Sequence, residues 1–161
     1  MKTLVLMRHG KSSWEFDVSD KERPLKNRGI KDTIRVSEHF RTKKIVLNRI
    51  ISSPANRALS TCKLFVDTVK INPNDIIITE ELYDFGGQNV TGYIKTLADS
   101  YNNVIIFGHN HAFTTISNIF GNRFIDNLPT AGLVVIDFET DSWKDISKGT
   151  TRFTIFPRDL K

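Results

Sequence analysis

A single cysteine, Cys62, is all that the 161 residues contain. It has no partner for an internal disulfide, so a secreted disulfide scaffold and a cysteine-based zinc site are both excluded. Long hydrophobic runs are missing as well. Leu4–Met7, Val104–Phe107 and Leu133–Ile136 reach four residues each, against the ~20 that a bilayer-crossing helix needs. The first of them stops at Arg8, short of the roughly 7–15 apolar residues of a signal-peptide core. No membrane partner is expected, and the expected location is the cytoplasm. Nor is there a concentrated run of basic charge. The chain carries 23 Lys and Arg against 18 Asp and Glu, a net charge of +5, yet acids sit among the bases, as in Lys21-Glu22-Arg23. The aromatic RNP1 signature is also absent, so no nucleic-acid partner is expected. A modest positive balance suits a ligand bearing phosphate instead.

What is present is a regular alternation of patterns. Short apolar runs at 2–7, 48–52, 75–79, 104–107, 133–138 and 151–156 read as strands. Helical spacing at 26–41, 54–69, 89–100 and 111–120 reads as the connections between them. Ser53-Pro54 resembles a capping serine followed by proline at the first helical position. Residues 9–24 are polar and irregular. The β-α-β-α order predicts an α/β fold: a three-layer αβα sandwich around a mostly parallel sheet. The segment 139–150 holds no helical pattern, so the last two strands predict an antiparallel edge. A chain near this length buries roughly 68–70% of its unfolded surface without staples, and one domain, 1–161, is expected. No long apolar stripe is left over, so a monomer is expected.

The unusual polar residues collect where strands give way to helices. Arg8-His9-Gly10-Lys11-Ser12-Ser13 follows the first strand, Ser52-Ser53-Pro54-Ala55-Asn56-Arg57 the second, and Gly108-His109-Asn110-His111 the fourth. In an open parallel sheet the carboxyl ends of the strands share one edge, where ligands bind. Two histidines and two arginines therefore meet on one rim. Arg57 lies at the start of its helix, where side chains lean toward the N-terminus and can reach back over that rim. Guanidinium forks match phosphate oxygens, and an unprotonated histidine supplies a nucleophile. Arg8 and Arg57 would lower the pKa of His9 and keep it neutral. The constellation reads as phosphoryl transfer through a phosphohistidine.

The ordered motifs R-H-G-K-S-S-W (8–14), R-P-L-x-x-R-G (23–29), S-S-P-A-x-R-A (52–58), E-L-Y (81–83) and G-H-N (108–110) resemble the histidine phosphatase superfamily, whose fold is that of phosphoglycerate mutase. Within it they are most similar to the SixA-type phosphohistidine phosphatase branch; the late Pro129-Thr130-Ala131 is similar too. The resemblance implies His9 as the phosphorylated nucleophile, Arg8 and Arg57 as ligands of the phosphoryl oxygens, and His109 as a hydrogen-bond donor completing the pocket. It implies no metal and no organic cofactor. The implied substrate is a phosphorylated protein carrying phosphohistidine, with a small phosphorylated metabolite, or phosphopeptide binding without turnover, as alternatives on the same residues. Aligning Leu82-Tyr83-Asp84 on the superfamily's L-x-E pattern selects Asp84 as general acid, with Glu81 next. Lys11 and Ser12 are further candidates for phosphate contact, or plain loop residues. His111 and His39 are left out, the first as a helix start and the second as solvent-facing. Cys62 reads as a small buried hydrophobe.

Overall fold

The computed structural model describes residues 1–160. Its strands are β1 (Lys2–Arg8), β2 (Arg49–Ser52), β3 (Ile76–Ile78), β4 (Asn103–Gly108), β5 (Leu133–Phe138) and β6 (Thr150–Ile155). They form one sheet in the order β3-β2-β4-β1-β5-β6. β3, β2, β4 and β1 are parallel. β5 runs antiparallel to β1, and β6 antiparallel to β5, so the expected antiparallel edge is there. The helices α1 (Asn27–Arg41), α2 (Asn56–Val69), α3 (Gln88–Ile94) and α4 (Ala112–Phe120) cover both faces.

Why the sheet is central follows from β1, which is apolar on both sides. Val5 and Met7 share one core with Val36 and Phe40 of α1 and Phe65 of α2. Leu4 and Leu6 share the other with Val90 of α3 and Phe113 and Ile116 of α4. A strand buried on both faces reads as a continuous apolar run rather than an alternating one. Cys62 lies in the first core, where burial pushes its thiol up to about 12.

Two helix boundaries differ from the sequence reading by more than one residue. α3 stops at Ile94, because the next bonds tighten to three-residue spacing: the Thr96 amide donates to Tyr93 O at 2.9 Å and that of Leu97 to Ile94 O at 3.1 Å. α2 starts at Asn56, with Ala55 in the capping position. Ser53 is therefore no helix cap and is free for another role.

The loop after β1 is held against α1 by a close approach of backbones. A Cβ on Gly29 would lie 2.2 Å from the Lys11 carbonyl oxygen, and one on Gly10 would lie 2.7 Å from that of Gly29. Both positions need glycine for space rather than for an unusual φ. Further on, Ser12 and Leu25 pair in an isolated antiparallel bridge that closes the intervening segment into a loop.

Candidate active site

Register places the two histidines. Arg8 of β1 pairs with Gly108 of β4, so His9 and His109 leave adjacent strands side by side. Their ring centroids lie 5.4 Å apart. The backbone of His9 is pinned from both flanks: its amide donates to Gly108 O at 3.1 Å, and its carbonyl accepts from Ala131 N at 2.9 Å. The Thr130-Ala131-Gly132 turn thus clamps the Arg8-His9 backbone, since Arg8 N also donates to Gly132 O at 3.0 Å.

The His9 ring is fixed in one tautomer. Nδ1 lies 2.7 Å from the Gly10 carbonyl oxygen. A carbonyl only accepts, so Nδ1 carries the hydrogen and Nε2 the lone pair. Burial above all, and then the charges of Arg8, Arg57 and Arg23, bring the His9 pKa down to about 3, outweighing the Gly10 bond that raises it. The sequence reading named the arginines; desolvation is the larger cause. His9 is thus a neutral imidazole at neutral pH, with 7% of its surface exposed.

His109 is fully buried and, by burial first and then the charges of His9 and Arg57, also held at about 3. Its Nε2 lies 2.8 Å from Ser53 Oγ. That oxygen already accepts from the Ala55 amide at 3.2 Å, so its own hydrogen can go to Nε2, which leaves the hydrogen of His109 on Nδ1. Among the described residues, His109 Nδ1 and Arg8 Nε are two of four buried side-chain polar atoms without a protein partner. Both belong to residues flanking His9, an arrangement that suits an oxyanion. Arg8 Nη1 donates to Leu128 O at 2.8 Å, which aims the guanidinium.

Arg57 reaches back from the first turn of α2, as its position predicts, and is 2% exposed. Its partner is Asp20, absent from the sequence reading. Arg57 Nη1 donates to the Asp20 carbonyl at 2.6 Å and Nη2 to its carboxylate at 2.9 Å. Asp20 also accepts from the Tyr83 hydroxyl at 2.7 Å and from Arg23 Nη1 at 3.3 Å. Partial burial alone would raise the Asp20 carboxyl, but the bonds from Tyr83 and Arg57, the Arg57 charge and the Arg23 bond overcome it and hold the group at about 2. Arg23 is itself anchored on Ser12 Oγ, on Ser13 O at 3.2 Å and on the face of Trp14. Tyr83 and Phe85 pack on His109, with centroids at 5.4 and 5.0 Å. These side chains form a narrow lip over the histidines.

The remaining candidates fare differently. The Asp84 carboxylate receives the backbone amides of Gly86, Gly87, Asn89 and Val90 at 3.0–3.2 Å. It caps the start of α3, and its acceptor capacity is spent there. Glu81 is exposed on the turn Glu80–Leu82. Lys11 is exposed, and its backbone carbonyl accepts from Lys26 N. Ser12 is buried, and its hydroxyl oxygen serves Arg23. His39 is exposed as read. The missed residues are Asp20, Ser53 and the Tyr83 hydroxyl. Ser53 and Tyr83 lie inside the quoted motifs, and Asp20 sits three residues before Arg23.

The chain is similar to known proteins over most of its length. An uncharacterized protein of Mycobacterium tuberculosis is 23% identical over 154 residues, covering 89% of this chain and 93% of that one. The structure of the protein histidine phosphatase SixA complexed with tungstate superposes with a TM-score of 0.84 at 20% identity, covering 99% of each chain. A mycobacterial glucosyl-3-phosphoglycerate phosphatase complexed with VO3 gives 0.68 at 10% identity, covering 95% of this chain and 98% of that one. At those identities the structural likeness establishes the fold. Residues 4–93 match the family model of the histidine phosphatase superfamily, branch 1, and the chain belongs to that superfamily.

Proposed function

We propose that the protein is a metal-independent phosphatase that works through a phosphohistidine at His9, and that its substrate is phosphohistidine on a protein. The observation that carries the reading is the His9 tautomer: a lone pair on Nε2, in a neutral ring, beside Arg8, Arg57 and the unpaired His109 Nδ1. The substrate's phosphoimidazole carries a proton from solvent on its other ring nitrogen; Nε2 of His9 attacks phosphorus while the P–N bond breaks, and the substrate's ring leaves as neutral imidazole with the bonding pair. Water then attacks the phosphoryl group on His9, releasing inorganic phosphate and restoring Nε2. Arg8, Arg57 and His109 bind the equatorial oxygens, in keeping with phosphoryl transfer as mostly positioning and charge stabilisation.

The choice of an N–P substrate rests on the acids. Asp84 is spent as a helix cap, and Asp20, at about 2, is ionised at neutral pH. Neither is poised to protonate an alkoxide, whereas a phosphoimidazole can take its proton from solvent on the ring's other nitrogen before the P–N bond breaks. Residues 1–161 acting as one monomeric, cytoplasmic domain belong to the same proposal; in support, one sheet spans the described residues, and no described helix is long and apolar enough to cross a membrane.

The test is to incubate the protein in EDTA with a phosphohistidine-bearing phosphotransfer protein and, separately, with p-nitrophenyl phosphate, alongside His9→Ala. Loss of phosphohistidine that requires His9 and ignores EDTA is the expected result. Hydrolysis of the small ester alone would move the substrate to metabolites. Full activity of His9→Ala would sink the mechanism.

A further inference from the structure

The Asp20 carboxylate lies 2.9 Å from Arg57, a guanidinium of the phosphoryl pocket, and is still 45% exposed toward the lip. A carboxylate so close to the anion site is an unexpected choice, because it competes with the ligand for the same cation. Charge counting explains it. Arg8, Arg57 and Arg23 bring three positive charges to the floor and lip, and both histidines are neutral. A bound phosphoryl group brings about two negative charges at neutral pH, and Asp20 brings the third. The set is then balanced. The nearby Lys21 is already paired with Glu80 at 2.6 Å, and Lys11 is exposed outside this set of contacts. The sequence around Asp20 is acidic: the segment 15–22 holds Glu15, Asp17, Asp20 and Glu22 against Lys21 alone, in a chain of net charge +5.

We propose that Asp20 is a specificity-determining residue, which excludes substrates carrying a further negative charge beside the transferred phosphoryl group and admits neutral or cationic leaving groups. A carboxylate or second phosphate on the leaving side would meet Asp20 with no cation left to offset it, at a separation inside the screening length. An imidazole carries no such charge. The inference rests on the reading of His9 and the arginines as the phosphoryl site, and it adds what that site rejects.

A matched pair of esters tests it. 3-Phosphoglycerate and glycerol 3-phosphate differ only in a carboxylate against a hydroxymethyl group, so their ratio cancels any change in the phosphoryl pocket itself. The ratio is read as kcat/KM in the wild-type and Asp20→Asn proteins. Without turnover, it is read as calorimetric dissociation constants in a His9→Asn background. Glycerol 3-phosphate, which lacks the carboxylate, should be favoured by about tenfold or more (about 1.4 kcal/mol) while Asp20 is present. Asp20→Asn should reduce the preference to within about threefold, Asp20→Glu should keep it, and added salt should shrink it. An unchanged ratio in Asp20→Asn, or no preference in the wild type, overturns the proposal. If the binding ratio behaves as expected but p-nitrophenyl phosphate is not hydrolysed, the phosphatase reading fails and the charge filter stands. If hydrolysis proceeds and the ratio ignores Asp20, the filter alone fails.

Discussion

At the scale of single residues, Asp84 separates two roles that spacing alone confuses. If its carboxylate is the cap that four amides make of it, Asp84→Ala should cost about 1–2 kcal/mol of stability and leave kcat on p-nitrophenyl phosphate within a few-fold. A general acid would instead show a loss of roughly 10²–10⁴ in kcat. Chemical denaturation and steady-state kinetics on one preparation decide between them. Arg8, His9, Arg57 and His109 were legible in the sequence because Arg8 ends a strand, His9 and His109 directly follow one and Arg57 lies in the first turn of a helix, so local pattern places them. Asp20 was not, since its partner Arg57 is 37 residues away and lies across an irregular segment that no periodicity describes. Ser53 was misread for a related reason. A serine before proline reads as a cap from its neighbours, whereas its actual partner, His109, is 56 residues distant.

At the scale of elements, the strand pattern carried almost everything, because a sheet buried on both faces forces apolar runs that can be seen. The third helix was the exception. Its pattern continues past Ile94, but the chain tightens there and the rest becomes turn. What pattern cannot show is how loops sit on elements, and here the contact between the loop after β1 and the start of α1 matters most. Gly29→Ala would drive a methyl into the Lys11 backbone. Overpacking of this kind typically costs about 1–3 kcal/mol. Backbone on both sides leaves little room to relax, so the upper end of that range is expected. The displaced loop carries Arg23 and Asp20, so kcat/KM should fall along with the melting temperature, and a variant with unaltered activity would show that the contact does not position the lip.

At the scale of the whole molecule, the fold keeps two histidines neutral that the unfolded chain would protonate. Their pKa values are about 3 in the fold, against an ordinary 6.5. Between those limits the unfolded state binds more protons, so stability must fall as pH drops below about 6.5, by about 1.4 kcal/mol per pH unit for each histidine. Asp20, held at about 2 against an ordinary 3.8, adds a further loss only below about 4. Urea titrations between pH 4.5 and 7 should show this slope, and His9→Asn should remove about half of it; an equal slope in both proteins would contradict the assignment. Seen as a whole, His9 and His109 are held by strand register, while Asp20 and Arg23 sit in a loop closed at its ends by the Ser12–Leu25 bridge. The loop is thus a cassette with one fixed point: exchanging it between its two bridged ends leaves the histidines in register, but a new loop must keep the Asp20 contacts that hold Arg57.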